Sequence, residues 1–215
     1  MQYYLGVDFG SQQDYTAMAL VRRNEVIKAR TDAVGVLKQD DVVVEYQLIF
    51  LERIELGTAY HLVVDRIQSI LRDQDVRGEI IVIPDATGVG IPIVQMMRRQ
   101  GISPMAPVTI HGGSETSRTK TGYNVPKRDL VSSLVMVVQS RRMKIASDIK
   151  YRAQLVHEMQ SFTMKTTAKD SDTYEALMEK DHDDLVLALA MAIWYAERAA
   201  PAPEYEEPVN IDLLT

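Results

Sequence analysis

The segment from Leu185 to Ala199 is apolar on every side of a helix, with charges only at Glu197 and Arg198 near its end. At 15 residues it is shorter than the run of about 18 that a membrane span requires. A helix of this kind has to be buried inside protein, and the rest of the chain must supply the surrounding core. A chain of 215 residues is long enough to do so as one domain.

The other segments alternate between strand and helix patterns. Period-two or continuous apolar runs predict strands at 2–7, 15–22, 25–31, 46–56, 79–84, 104–110 and 143–146. Helical spacing predicts helices at 59–72, with Thr58 as N-cap, and at 91–100, 126–142, 149–160 and 185–199. We expect a turn at Arg23-Asn24, polar loops at 32–44 and 111–125, and a hairpin formed by 162–170 and 173–179. This order predicts an α/β domain with a mixed sheet, antiparallel strands first and parallel strands later, flanked by helices.

Composition excludes several classes of protein. The chain has no cysteine, which rules out disulfide scaffolds, thiolate zinc sites and cysteine nucleophiles. Its first ten residues lack a basic region and place Asp8 within the apolar stretch, unlike a signal peptide. We expect a soluble protein of the cytoplasm, without a membrane partner.

Charge is unevenly distributed along the chain. The net charge is −6, yet residues 118–169 hold eleven Lys or Arg against three acids, which gives +8 and leaves −14 for the remainder. Such asymmetry fits a face that binds a polyanion, and it also fits ordinary solvated helix faces. Charge alone leaves both readings open.

Acidic residues fall at three positions that matter in an α/β fold. Asp8 ends the first predicted strand, Asp85 ends the buried run EIIVIP, and Asp183-Asp184 open the last helix. Sites in open α/β sheets form at the carboxyl ends of strands. We expect these carboxylates to converge without basic partners, and a divalent cation would relieve their repulsion. Oxygen donors favour Mg²⁺ or Mn²⁺.

A structural reading of the same acids is also open. Asp85 precedes a glycine turn and suits a turn former, while Asp183 and Asp184 suit helix N-capping. A single cluster accounts for all three positions at once, and this favours the metal site over three separate structural roles.

Four segments together resemble the nuclease domain of tailed-phage terminase large subunits. They are Asp8–Ala17, Tyr46–Tyr60, Asp85-Ala86-Thr87-Gly88-Val89-Gly90, and His182-Asp183-Asp184 with Leu185, Ala188 and Leu189. The resemblance covers roughly residues 3–198. It implies an RNase H-like fold over residues 1–200. Residues 201–215 are Pro-rich and acidic, and we expect from this composition a tail that is flexible or docked on a partner.

The resemblance also implies an activity: divalent-metal-dependent endonucleolytic cleavage of double-stranded, concatemeric phage DNA during genome packaging, by two-metal hydrolysis with Mg²⁺ or Mn²⁺. Asp8, Asp85 and Asp184 match the catalytic metal ligands, Asp183 is an adjacent candidate ligand, and Asp14 is an auxiliary acid. Adjacent helical residues face about 100° apart, so sequence does not decide between Asp183 and Asp184, and we prefer Asp184.

The basic segment then supplies the DNA-binding surface, for which we select Arg118, Lys120, Lys127, Arg128, Arg141 and Arg142. Implied partners are double-stranded DNA, the terminase ATPase domain, the small terminase and the portal protein, in the host cytoplasm.

The chain departs from the full-length family in one respect. It has no stretch of the form G-x-x-x-x-G-K-[ST], the phosphate loop of the packaging motor. We expect a nuclease fragment, with a separate motor polypeptide as the alternative.

Three other functions remain open. Actin-like or sugar-kinase-like ATPases also begin with D-x-G-S, although they usually need well over 300 residues. A Holliday-junction resolvase would share the acid cluster. The third alternative is a module with inert acids that binds DNA or docks on the portal.

Overall fold

The computed structural model describes residues 2–11, 14–31, 37–74, 76, 78–167 and 183–199. Within these ranges lie eight strands and five helices. The strands are β1 (Gln2–Asp8), β2 (Thr16–Thr31), β3 (Leu37–Ile54), β4 (Glu79–Pro84), β5 (Val108–His111), β6 (Ser117–Arg118), β7 (Tyr123–Pro126) and β8 (Met143–Ile145). The helices are α1 (Tyr60–Leu71), α2 (Gly90–Arg99), α3 (Lys127–Gln139), α4 (Arg152–Thr167) and α5 (Asp184–Ala199).

Five strands form the main sheet, in the order β4-β1-β2-β3-β8. The first three strands pair antiparallel, while β4 joins β1 and β8 joins β3 in parallel. The predicted mixed sheet, with antiparallel strands first and helices around it, is confirmed. The architecture is consistent with an RNase H-like fold.

The sheet separates two apolar layers. Alternation along the strands sends Leu5 and Val82 to one face, where α1 and α2 cover them, and sends Tyr4 and Ile83 to the opposite face. That second face is covered by α5, with α3 and α4 packed beside it. From Asp184 to Trp194 every residue of α5 is buried, as its apolar composition predicts.

Gly6 sets the distance between β1 and α5. A Cβ atom at this position would lie 1.9 Å from the main-chain oxygen of Ala188, well inside contact distance. Glycine therefore lets the helix backbone rest directly on the strand. The opposite end of α5 is fixed through Glu197, which accepts hydrogen bonds from Arg142 at 2.8 Å and from the Tyr46 hydroxyl at 2.5 Å.

A second, three-stranded sheet has the order β5-β7-β6. The predicted strand at 104–110 is shorter than expected and begins at Val108, because Pro104 and Pro107 have no amide to donate. The prediction of an irregular loop at 111–125 is wrong in part, since β6 and most of β7 lie within it.

The predicted turn at Arg23-Asn24 is wrong. Strand β2 runs through it to Thr31, because Arg23 and Asn24 pair with Tyr46 and Glu45 of β3. The predicted loop at 32–44 is wrong from Leu37 onward, where β3 begins. Cross-strand pairing over this length outweighs the local turn preference of asparagine.

Two helix predictions also need correction. Helix α4 continues to Thr167, so the first strand of the expected hairpin is helical as far as that residue; extending an existing helix fixes one residue per added bond. The N-cap of α1 is Ala59, and the Thr58 hydroxyl donates to Glu55.

Some predictions lie outside the described residues: the remainder of the hairpin, the loop at 32–36 and the tail at 201–215. In the part of the chain that the structure describes, none of the helices is long and apolar enough to cross a membrane.

Candidate active site

Asp8 and Asp85 lie side by side at the carboxyl ends of two parallel strands. Val7 pairs with Pro84, and the amide of Asp85 donates to the carbonyl of Val7 at 2.8 Å. Neighbouring strands lie about 4.8 Å apart. Strand alternation turns both side chains toward α5, since Tyr4 and Ile83 share their parity and pack on that face. Sequence reasoning placed this pair as the structure does.

The first turn of α5 brings two further carboxylates to the same edge. Because α5 rests on Gly6, its N-terminal residues lie over the end of β1. The pKa of Asp8 is raised well above its ordinary value, first by burial and then by the charges of Asp85, Asp183 and Asp184. These four residues are called the acidic edge below. The structure thus brings together all four acids that the sequence singled out as metal ligands.

Burial also raises the pKa of Asp85, to about 6. Hydrogen bonds from Thr87 and the charge of Lys127 oppose that rise. One of these bonds runs from the Thr87 amide to Asp85 Oδ1 at 2.8 Å. Asp85 therefore forms the turn after β4, as its structural reading suggests, and still belongs to the acidic edge.

Lys127, the first residue of α3, reaches into the acidic edge. Its Nζ atom donates to Asp183 Oδ2 at 2.7 Å, and its charge lowers the pKa values of Asp8 and Asp85 against the stronger effect of burial. The expectation that these acids lack basic partners is therefore wrong. Pro126 is the N-cap of α3, and the helix that begins after it brings the lysine close to acids far away in sequence.

Arg53 is the second basic partner, and sequence analysis missed it. Its Nε and Nη2 atoms donate to the two carboxylate oxygens of Asp184 at 2.8 and 2.9 Å, and Nη2 also donates to Glu158 at 2.5 Å. The signal was present: Arg53 has the parity of buried Leu51 on β3, so a charged side chain faces the core.

Glu158 is a buried acid on α4 that sequence reasoning also missed. Burial and the charge of Asp184 raise its pKa to about 7, against the opposing charge of Arg53. Its second oxygen accepts the amide of Val186 at 3.2 Å. An acid one turn after the buried Leu155 marks a charged position on the buried face of a helix.

The donor chemistry of the acidic edge suits a hard divalent cation. All four side chains offer carboxylate oxygens, and the neighbouring charges that raise the pKa of Asp8 are those a cation would neutralise. Among the described residues, however, no group of three His, Asp or Glu side chains is arranged to hold a metal ion. The two helix carboxylates are instead paired with Lys127 and Arg53.

Asp14 stands apart from these acids. It is exposed and accepts a hydrogen bond from Ser11 at 2.7 Å. It lines a cavity of about 400 Å³ together with Gly10, Thr58 and Tyr60. Its auxiliary role stays a prediction.

The predicted DNA-binding residues divide into two groups. Exposed Arg118 belongs to β6 and exposed Lys120 follows it, while Lys127 and Arg128 begin α3. Arg141 and Arg142 follow the opposite end of α3, about 20 Å away at 1.5 Å per residue. Arg142 is paired with Glu197. The structure therefore places Lys127 at the acidic edge, whereas Arg118 lies over Tyr123, whose ring contacts Trp194 and Tyr195 toward the other end of α5.

Fold and site together define a mixed α/β domain that gathers carboxylates where its strands end. No protein-family model matches the chain. Over 190 residues, 88% of its length, the chain is 25% identical to the terminase large subunits of Thermus virus P23-45 and of Thermus phage G20c. It spans 31% of the length of these curated relatives. The chain is thus linked to terminase large subunits over most of its own length.

Proposed function

We propose that this chain is the nuclease domain of a terminase large subunit, a divalent-metal-dependent endonuclease that cleaves double-stranded phage DNA during genome packaging. The observation that carries the proposal is the acidic edge, where burial and then the charges of three neighbouring carboxylates raise the pKa of Asp8. Perturbed acids at strand ends are typical of functional sites. The likeness to terminase large subunits supports DNA as the substrate.

In this mechanism Asp8 and Asp85 would hold the metal from the sheet, and Asp183 would hold it from the start of the helix. Asp183 is preferred over Asp184 here because both oxygens of Asp184 accept hydrogen bonds from Arg53. Bound Mg²⁺ or Mn²⁺ would supply an activated water for in-line attack on phosphorus and stabilise the leaving 3′-oxygen. Lys127 leaves Asp183 and contacts a DNA phosphate.

Four exposed or half-buried basic residues would bind the DNA backbone: Arg118, Lys120, Lys127 and Arg128, of which Lys127 lies at the acidic edge itself. Arg118 lies over the ring of Tyr123, 6.0 Å from its centroid, and Arg128 donates to the Ser114 carbonyl at 2.9 Å. Contacts from such side chains to DNA phosphates would give affinity without sequence readout. We therefore propose cleavage with little sequence preference.

The remaining partners are proposals of the same kind. A chain that spans 31% of its relatives' length would act beside an ATPase domain and meet the portal and the small terminase in the host cytoplasm.

The test is nicking of supercoiled plasmid by the 215-residue chain with Mn²⁺, with Mg²⁺, or with EDTA. We expect cleavage with either ion, none with EDTA, and none by Asp8→Asn. Metal-independent cutting, or full activity of Asp8→Asn, would contradict the proposal. DNA binding without cutting would favour an inert docking module, and cutting confined to four-way junctions would favour a resolvase.

A further inference from the structure

Arg53 is held on several sides at the start of α5. Its guanidinium forms a two-pronged pair with Asp184, donates to Glu158, and lies over the ring of Tyr15, 4.8 Å from its centroid. Its side chain is 15% exposed. The planar fork of arginine fixes direction as well as distance, so Arg53 sets how the first turn of α5 is rotated.

Glu158 completes this arrangement from α4. The carbonyl of Asp183 accepts the amide of Leu187 at 2.9 Å, which makes Asp183 the residue at the N-cap position of α5. The Val186 amide is then one of the first-turn donors that a capping side chain usually satisfies. Glu158 accepts that amide, and the carboxylate of Asp183 is paired with Lys127. A residue of another helix thus satisfies a first-turn donor.

We propose that Arg53 and Glu158 are positioning residues, which hold the first turn of α5 so that Asp183 faces Asp8 and Asp85. The proposal rests on the proposed function, because it assigns the acidic edge a reaction to support. Arg53 and Glu158 act through Asp184 and the Val186 amide. Together with Asp184 they are called the clamp.

Stability alone is a weaker explanation of the clamp. Desolvating buried charges costs several kcal/mol per ion, and well-packed apolar side chains often serve stability equally well. The clamp instead supplies directed bonds on one turn, next to the acids at the sheet edge. Mutation of residues that orient metal-binding side chains typically lowers metal affinity or activity about 10–100-fold.

Glu158→Gln and Arg53→Lys test the clamp with little change in volume. Both oxygens of Glu158 accept hydrogen bonds, one from Arg53 and one from the Val186 amide. In glutamine one oxygen is replaced by an NH₂ group, which must face one of these two donors and cannot accept its hydrogen bond. Lysine keeps the charge of Arg53 and loses the fork. The matched control is Arg66→Lys, because Arg66 pairs with Glu52 at 2.8 Å on the surface. Thermal melts establish that each variant is folded, and Glu158→Gln keeps the test decisive if Arg53→Lys unfolds.

The first measurement is amide hydrogen exchange at Val186, which does not depend on activity. We expect exchange about tenfold faster in both variants, with the amides of β1 unchanged and Arg66→Lys like the wild type. Unchanged exchange at Val186 in both variants would overturn the clamp. A uniform increase over β1 and α5 would also overturn it, since that pattern reports general destabilisation.

The second measurement is plasmid nicking over a range of Mn²⁺ and DNA concentrations. We expect kcat to fall about 10–100-fold, the Mn²⁺ requirement to rise, and KM for DNA to stay within about twofold. Faster exchange with unchanged kcat would overturn the positioning role. A wild-type chain that does not cut would contradict the nuclease proposal alone, and the exchange rate at Val186 would then decide for or against the clamp.

Discussion

Lys127 Nζ and Asp183 Oδ2 lie 2.7 Å apart, which places a cation among the carboxylates of the acidic edge. Asp184, the next residue, is paired instead with Arg53. Two adjacent acids of one helix thus have different partners: Lys127 also acts on Asp8 and Asp85, whereas Arg53 binds Glu158. The two acids are therefore expected to differ in function.

Replacing each acid by its amide separates the two roles. Asp183→Asn should lower the rate of nicking about 100-fold or more. Its melting temperature should stay within a few degrees of the wild type, because the ion pair of Asp183 is partly exposed. Asp184→Asn should lower stability by about 3 kcal/mol, since it leaves a buried guanidinium poorly paired. Nicking rates and urea unfolding of both variants check this. The reverse pattern would restore Asp184 as the ligand.

The metal-free protein should lose stability as pH rises from 5 to 8. Asp85 has a pKa of about 6 and Glu158 of about 7, while that of Asp8 is also raised. In this range the folded chain binds more protons than the unfolded chain, so the free energy of unfolding falls with pH. One pKa unit corresponds to about 1.4 kcal/mol, and we expect a total loss of a few kcal/mol.

Urea unfolding at pH 5, 6, 7 and 8 in EDTA measures this loss. Asp85→Asn keeps the acceptor for the Thr87 amide and removes the charge, so its stability should depend less on pH. Adding Mn²⁺ at pH 8 should raise the free energy of unfolding of the wild type more than that of Asp85→Asn. Stability that rises over this range would show that the carboxylates are not destabilised by burial.

Salt dependence locates the DNA-binding surface. Replacing Arg118 and Lys120 by glutamine should reduce the slope of log affinity against log salt by about two, because each lost phosphate contact removes about one unit. Arg141→Gln, at the far end of α3, should leave the slope unchanged. Fluorescence anisotropy with a short duplex between 50 and 200 mM salt measures both. A reduced slope in Arg141→Gln would show that the DNA-binding surface extends along α3.

Close packing at Gly6 gives a test of the fold itself. Gly6→Ala should lower stability by about 3 kcal/mol, as the added methyl group would lie 1.9 Å from the Ala188 oxygen. Ala188→Gly should not rescue this variant, because the contact is with main-chain oxygen. Unfolding of the single and double variants in urea provides the measurement, and rescue would show that side chains set the spacing.

The sequence predicted the residues that depend on local patterns. Asp8 and Asp85 come where apolar runs predict that strands end. Asp183-Asp184 open a helix that is buried from Asp184 to Trp194. Their convergence follows from the rule that sites form where strands end. The mixed sheet could likewise be predicted from element order.

Arg53 and Lys127 could not be predicted as partners of these acids. Arg53 lies 131 residues from Asp184 in sequence and Lys127 lies 56 from Asp183, so each pairing depends on the packing of α5 against other elements. The continuity of β2 through Asn24 also depends on pairing with residues further along the chain, because its partner strand β3 begins 13 residues after Asn24. Local propensity carries no information about either.

The backbone contact between Gly6 and Ala188 also bears on how this fold tolerates sequence drift. Main-chain atoms, which substitution cannot change, set the spacing between the strand that carries Asp8 and the helix that begins at Asp184. Leucine, valine and isoleucine in the surrounding core can then be exchanged over generations at nearly constant volume. The acids would keep their separation through such exchanges. A lineage could thus lose most of its original core residues and retain its chemistry, provided that position 6 remained glycine.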